Sequence, residues 1–210
     1  SHLRFGKKPI KSTYLIHQAN FVACHNPSYV NKYNMVQELV DGGTFLLNCS
    51  WDMEGLEKHL PGQVKAFIAN HDIKFYTIDG VKIGIETGMG PTRINTILQS
   101  AFFKLTGIIP EEQAIDLMKA AAKATYGRKG DDIVQKNWAA IDAGAKQVVE
   151  IQVPERWKDA ADEGLHMTHA ENGREDVVDF VNNIQSKVNA QEGNSLPVSA
   201  FKDYVDGTTP

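Results

Sequence analysis

Apolar runs of strand length alternate with helical patterns over the first 153 residues, and this alternation restricts the fold more than any other feature. The run 44–49 (TFLLNC) is almost continuously apolar, as a strand covered on both faces of a sheet would be. Shorter runs at 12–16, 21–24 and 73–78 are rich in β-branched and aromatic residues. Strands that alternate with helices predict a mostly parallel sheet between two helical layers, joined by right-handed crossovers.

Helical segments are marked by apolar residues three and four positions apart. A helix is predicted over 29–40, where Val36, Leu39 and Val40 have this spacing and a Gly-Gly pair follows. The same criterion predicts helices over 63–70, from Asn95, from Pro110, over 131–149 and over 177–188.

The composition becomes polar and charged after Pro154. We therefore predict an α/β fold: a three-layer α/β/α domain with a mostly parallel sheet over 1–154, followed by a mostly irregular C-terminal extension. Within that extension, 155–193 is expected to be a linker with one helix. The turn-rich end, 194–210, is expected to be the truncated start of a further domain.

Bulk properties exclude several classes of function. The net charge of −4 argues against a general nucleic-acid binder. No apolar run approaches the roughly 18 residues that a membrane span needs, so no membrane contact is expected. Cys24 and Cys49 lie in strand-like runs and are expected to be buried free thiols of a cytoplasmic protein.

No catalytic set or metal site is predicted. The seven histidines show no metal-binding spacing. The pair His166 and His169 favours a surface pair over a zinc site, because no cysteine lies near it in the sequence. A phosphate-loop motif and a nucleophile elbow are both absent from the sequence.

The most informative polar segment is the glycine turn 88–90, which directly precedes the helix that begins near Asn95. Backbone N–H groups at such a turn and at the helix start attract anions, and Arg93 adds a cation suited to phosphate or carboxylate. Asn95 could cap the helix or donate its amide to a ligand. Asn137 lies on the border of an apolar stripe, where a polar amide needs partners if it is covered. For both residues a purely local role stays open.

Three functional hypotheses follow from the residues. The first is a ligand-binding module of a larger protein. The second is a free-standing α/β dehydrogenase, which would need a glycine-rich first strand–helix turn that the sequence lacks. The third is a purely structural interaction module, in which Arg93, Asn95 and Asn137 satisfy only one another or the backbone.

Long sequence words resemble the family of single-chain pyruvate:ferredoxin (flavodoxin) oxidoreductases. They are 1–6 (SHLRFG), 21–30 (FVACHNPSYV), 42–49 (GGTFLLNC), 74–79 (KFYTID), 93–95 (RIN), 101–105 (AFFKL) and 189–201 (NAQEGNSLPVSAF). The similarity extends over essentially the whole chain. It implies the third, γ-subunit-like domain of such an enzyme and the start of the short domain that follows.

The resemblance implies that coenzyme A is the ligand, held by Asn95 and Asn137 with Arg93 as a further contact. The family oxidises pyruvate with coenzyme A to acetyl-CoA and CO₂, using thiamine diphosphate and 4Fe-4S clusters that this stretch is not expected to bind. The implied partners are the remaining domains of the same enzyme, a second copy of the whole enzyme, and ferredoxin or flavodoxin. The chain alone is not expected to be active.

The resemblance carries two structural expectations. It implies that a helix starts at 79–83, where periodicity alone would have allowed a strand. It also implies that the family's domain begins roughly fifty residues before Ser1 with a strand and a glycine-rich loop that contacts coenzyme A. Without that loop, the chain is expected to expose a surface and to lack backbone donors for the phosphates.

Overall fold

The computed structural model describes residues 8–11, 16–161, 169–207 and 209–210. The strand predicted at 12–16 falls outside these residues except for Ile16, and His166 of the histidine pair also lies outside them.

The described residues form a four-stranded sheet in the order β1-β2-β3-β4. Its strands are β1 (Ala19–Cys24), β2 (Leu39–Asn48), β3 (Lys74–Ile78) and β4 (Val149–Glu150). The first three are parallel, and β4 pairs antiparallel with β3 at the far edge. The predicted α/β fold with a mostly parallel sheet is confirmed.

Eight α-helices surround and follow this sheet in the part of the chain that is described. They are α1 (Met53–His59), α2 (Gly62–Asn70), α3 (Gly80–Glu86), α4 (Asn95–Thr106), α5 (Glu111–Tyr126), α6 (Asp131–Lys146), α7 (Glu175–Phe180) and α8 (Ser186–Asn189). The helix implied by the resemblance at 79–83 is thus present as α3, and Asp79 caps it by accepting the backbone N–H of Lys82 at 2.8 Å.

Alternation of side chains along β2 explains the three layers. Phe45 and Leu47 face one side, where they pack with Leu56 of α1 and Ile68 of α2. Leu46 faces the other side, in the core that α3, α4 and α6 cover. All three β2 side chains are at most 1% exposed, so the strand is buried on both faces, as its continuous apolar run predicted.

Helices α4, α5 and α6 pack against one another beyond the sheet. Met118 and Ala122 of α5 meet Ile141 of α6 in a small core of their own. The buried Ser100 hydroxyl of α4 donates to the Ile141 carbonyl at 2.6 Å, which ties α4 to α6. The relative position of these helices is therefore fixed by packing and by a buried hydrogen bond.

The helix predicted over 29–40 is wrong. A short 3₁₀ helix, Pro27–Asn31, is followed by turns, and β2 already begins at Leu39. Three extra residues in β2 bulge between the pairs Ala19↔Leu39 and Phe21↔Thr44. Gly42 lies in this bulge with φ +71°, a conformation that favours glycine, so the Gly-Gly pair belongs to a strand irregularity and does not end a helix.

Two further boundaries differ from the sequence prediction. The helix predicted over 131–149 ends at Lys146, and the chain then forms β4. Helix α1 was missed, although Asp52 marks its start by accepting the Gly55 N–H at 2.9 Å. Strand β4 and helix α1 are both short, so the periodicity of apolar residues carries little information in these segments.

The region after residue 154 is less regular, as predicted. It opens with a 3₁₀ helix, Glu155–Asp159. Its Trp157 is buried in the core on the side of the sheet that α1 and α2 cover. Further along, a π-helical turn, Val181–Gln185, separates α7 from α8 within the helix predicted over 177–188. The segment expected to be a linker therefore begins with a turn that packs on the α/β domain.

Candidate functional site

Asn48 joins the ends of the parallel strands. Its side chain is buried, and its Nδ2 donates to the His25 carbonyl at 2.9 Å while its Oδ1 accepts the Gly80 N–H at 2.9 Å. The ends of β1 and β2 and the start of α3 are thereby held together at the carboxyl edge, where ligands bind in sheets of this type.

A cavity of about 500 Å³ opens at this edge. Its lining comprises Pro27, Asn48, Cys49, Ser50, Asp79, Val81, Lys82, Ile85 and Glu86. Asn48 and Asp79 are both engaged in the local hydrogen bonds given above. Since those polar groups already have partners, this strand-end cavity shows no buried group that a ligand must satisfy.

A second cavity, of about 430 Å³, lies between the start of α4 and helices α5 and α6. Its lining comprises Met89, Thr92, Arg93, Asn95, Thr96, Tyr126, Lys129, Ile133 and Asn137. We call this the α4–α6 cavity. It contains all three residues that the sequence singled out, Arg93, Asn95 and Asn137, although 44 positions separate the first from the last.

Ligands in mostly parallel sheets bind at the carboxyl ends of the strands, so the sequence predicts these side chains at that edge. The α4–α6 cavity is separate from the strand-end cavity. The two cavities have no lining residue in common. A Cβ added at Gly80 would lie 3.5 Å from Ile94, so α4 starts next to the start of α3. The start of α4, which lines the α4–α6 cavity, therefore lies close to the carboxyl edge of the sheet.

Asn137 forms the buried wall of the α4–α6 cavity. It is 2% exposed, and its Nδ2 donates to the Ile133 carbonyl at 2.8 Å. Its Oδ1 is fully covered and has no hydrogen-bond partner among the described residues. An unpaired buried acceptor of this kind costs about 1–3 kcal/mol, so the position needs an explanation beyond folding.

Asn95 and Arg93 are exposed at the mouth of the same cavity. Asn95 is the first helical residue of α4, and the capping position is occupied by Ile94, which makes no side-chain cap. The glycine turn before it is confirmed by the positive φ angles of Gly88 and Gly90. Within the described part of the chain, neither Asn95 nor Arg93 has a side-chain hydrogen bond or ion pair, so the capping role considered for Asn95 is wrong.

Sequence reasoning missed Tyr126 and Lys129, which line the opposite side of the cavity mouth. Tyr126 is the last residue of α5, and Lys129 lies in the 3₁₀ turn Gly127–Lys129 that follows. The Lys129 ammonium lies 5.6 Å from the centre of the Tyr126 ring, within the range of a cation–π contact. Only the helix stop at Tyr126 was visible in the sequence, because a loop lysine has no periodic signal.

Cys24 and Cys49 are free and buried, as predicted. Burial raises the pKa of the Cys24 thiol to about 11 and also raises the pKa of Cys49. Both thiols are therefore protonated near neutral pH and are poor nucleophiles and metal ligands.

The raised pKa of Cys24 predicts a loss of stability at alkaline pH. An unfolded chain releases this proton near pH ~8.5, while the folded thiol holds it up to about pH 11. Stability is therefore fully present below the unfolded pKa and decreases as pH rises through the folded pKa, by on the order of 3 kcal/mol. Urea unfolding between neutral pH and pH 11 measures it.

The matched control is Cys24→Ala. This variant is expected to start less stable at neutral pH because a buried side chain is lost, but to lose less stability on going to pH 11. Identical pH dependences in the two proteins would show that Cys24 does not contribute.

Among the described residues, no three His, Cys, Asp or Glu side chains are grouped so that they could hold a metal ion. None of the described helices has both the length and the apolar character that crossing a membrane requires.

Comparison with known proteins gives a consistent family. The family model for pyruvate ferredoxin/flavodoxin oxidoreductase matches residues 1–147, and the model of a domain of unknown function matches residues 167–210. The chain is 45% identical over 210 residues to the pyruvate:ferredoxin oxidoreductase of Moorella thermoacetica, and 46% identical over 210 residues to the pyruvate-flavodoxin oxidoreductase of Enterobacter agglomerans.

Both alignments cover 100% of this chain and 17% of the relative, so the chain spans about a sixth of those proteins. A crystal structure of pyruvate oxidoreductase subunit PORC from Thermotoga maritima matches with a TM-score of 0.51 at 16% identity. That match covers 65% of this chain and 67% of the other, and it supports the fold alone. Because the first family model covers most of the chain, we conclude that the chain belongs to the pyruvate ferredoxin/flavodoxin oxidoreductase family.

Proposed function

We propose that this chain is part of a larger pyruvate:ferredoxin or pyruvate:flavodoxin oxidoreductase, within which it helps to bind coenzyme A. The observation that carries the proposal is the α4–α6 cavity. Its wall holds an amide oxygen without a partner, and its mouth holds an exposed amide and a guanidinium group, on Asn137, Asn95 and Arg93 respectively. A purely structural module gives no reason to keep an unpaired acceptor on a buried wall.

The chemistry of coenzyme A fits this combination of groups. Its phosphates suit the Arg93 guanidinium and the free N–H groups at the start of α4. Its amides, hydroxyls and adenine can exchange hydrogen bonds with Asn95 and Asn137. A cavity of about 430 Å³ is within the usual range for small-molecule sites and would enclose part of such an elongated ligand.

The whole protein would oxidatively decarboxylate pyruvate and transfer the acetyl group to the thiol of coenzyme A. The released electrons would pass to ferredoxin or flavodoxin. Its partners would be the remaining domains of the same polypeptide and a second copy of the enzyme, in the cytoplasm. In this scheme the chain supplies coenzyme A contacts and no residue that reacts with pyruvate.

Thiamine diphosphate and the 4Fe-4S clusters would be held by other parts of the enzyme. For the 4Fe-4S clusters, the cysteine content of this chain supports a location elsewhere in the enzyme, because each cluster needs four thiolate ligands. The chain has two cysteines, and burial raises the pKa of both thiols. The residues present here therefore do not fit an iron–sulfur site.

Replacing Asn95 with alanine tests the binding role. Loss of one amide hydrogen bond to the ligand is expected to weaken coenzyme A affinity about fivefold. Calorimetric titration of coenzyme A into the intact enzyme and into this chain measures the effect. Gln113→Ala is the matched control, because Gln113 is an exposed amide on α5 that does not line the cavity. Equal losses in both variants would contradict a specific contact at Asn95.

Replacing Asn137 with leucine separates binding from folding. The Ile133 carbonyl keeps its backbone hydrogen bond within α6, so removing the amide orphans no group there, while it eliminates the unpaired Oδ1. We expect the variant to unfold at higher urea, with a gain on the order of 1 kcal/mol, and to bind coenzyme A at least about fivefold more weakly. Equal affinity in the variant and the wild type would remove Asn137 from the site.

A further inference from the structure

The hydrogen bond of Asn137, a residue that lines the cavity, decides which of its two amide atoms is left without a partner. The Ile133 carbonyl can only accept, so the atom that lies 2.8 Å from it must be the Nδ2 donor. The unpaired atom is therefore the Oδ1 acceptor, and turning the amide over would place two oxygens against each other. A phosphate at neutral pH has no proton to offer this oxygen, whereas an N–H or O–H group has one.

The mouth of the cavity, in contrast to the Asn137 oxygen, favours a negatively charged group. Lys129 and Arg93 contribute two cations, and the start of α4 contributes N–H groups that no side chain caps. None of the nine lining residues is acidic. The nearby Asp132 carboxylate is paired with Lys136 at 2.6 Å, so it does not neutralise Lys129. An anion is therefore favoured at the mouth and disfavoured at the wall.

We infer that Lys129 is a further ligand-binding residue and that the α4–α6 cavity binds its ligand in one orientation. A phosphate group lies between Lys129, Arg93 and the start of α4, and a neutral N–H or O–H donor of the same ligand bonds to Asn137 Oδ1. This inference rests on the proposed function and adds to it a residue and a polarity. The Tyr126 ring holds the Lys129 ammonium over the mouth through the contact at 5.6 Å.

Lys129→Met tests the phosphate contact, because it removes the charge and keeps most of the length of the side chain. Affinity for coenzyme A in the intact enzyme is expected to fall about five- to tenfold, and Lys129→Arg is expected to restore most of it. Lys123→Met is the matched control, since Lys123 is exposed on helix α5, which directly precedes the turn that holds Lys129, and does not line the cavity. Lys129 is itself exposed, so its replacement should leave folding intact.

Salt separates the two ends of the ligand. Raising the salt concentration from 0.05 M to 0.5 M screens the ammonium–phosphate pair, so the difference between wild type and Lys129→Met should shrink severalfold. The difference between wild type and Asn137→Leu should persist, because it reflects a covered neutral hydrogen bond. Salt-independent losses at both positions would overturn the inferred polarity.

Two fragments identify which part of coenzyme A the cavity takes. Adenosine 3′,5′-bisphosphate offers phosphates with an adenine amino group, and 4′-phosphopantetheine offers a phosphate with amide N–H groups. The fragment that binds in this cavity should lose affinity in both Lys129→Met and Asn137→Leu, and either fragment doing so supports the inference. If coenzyme A binds the wild type and Lys129→Met equally well, the inference fails while the proposed function stands. If the intact wild-type enzyme does not bind coenzyme A at all, both fail.

Discussion

Replacing Trp157 with alanine is expected to lower the free energy of unfolding by about 3–5 kcal/mol, the range for a buried aromatic residue. The indole is 1% exposed and lies against Phe75 of β3, with ring centres 6.3 Å apart. Its Nε1 also donates to a Glu57 carboxylate oxygen at 2.9 Å. Urea unfolding monitored by far-UV circular dichroism measures the loss without relying on the fluorescence of the removed indole.

The matched control is Trp51→Ala, the same chemical change at a half-buried indole that stacks on His59. It should cost clearly less, because less apolar area returns to water. The Trp157 bond is also the largest factor that lowers the pKa of Glu57, so the Trp157→Ala variant should titrate Glu57 at higher pH. Similar unfolding curves for Trp157→Ala and wild type would show that the turn Glu155–Asp159 is not part of the folded core.

The sheet was largely predictable because its central strands are apolar on both faces. The runs 44–49 and 73–78 correspond to β2 and β3. The prediction of a helix over 29–40 failed because Val36 lies in a turn and Leu39 is the first residue of β2. Both side chains are buried, and their spacing of three residues imitates one face of a helix. The short strand β4 was absorbed into the helix before it, since two residues cannot establish a strand period.

Three residues that line the candidate site stood out in the sequence, but the way in which the helices bring them together did not. Asn137 stood out because it is a polar residue at the edge of an apolar stripe. In the structure its side chain is almost completely buried. That its oxygen has no partner depends on the rotation of one side chain within α6, which no sequence pattern specifies. Lys129 joins the site only because α5 and α6 fold back on each other through the turn Gly127–Lys129.

The spacing of α4 and α6 is set by the close approach of Gly144 in α6 to the backbone of Ile97 in α4. A Cβ added there would lie 2.4 Å from the carbonyl oxygen of Ile97, closer than atoms can approach, and the obstacle is backbone. Asn95 begins one of these two helices and Asn137 lies in the other. A side chain at position 144 must therefore push the helices apart, and the displacement reaches both amides of the α4–α6 cavity.

Gly144→Val is accordingly expected to destabilise the fold by about 3 kcal/mol, because overpacking and a β-branched residue in a helix act together. Coenzyme A affinity of the intact enzyme should fall more than for Asn95→Ala alone, since both amides are displaced at once. Gly127→Ala is the control: an added Cβ there meets nothing within 4 Å, and its φ of −54° suits any residue. That variant should unfold and bind as the wild type does. Wild-type affinity in Gly144→Val, with the fold destabilised as expected, would mean that α4–α6 spacing does not govern binding.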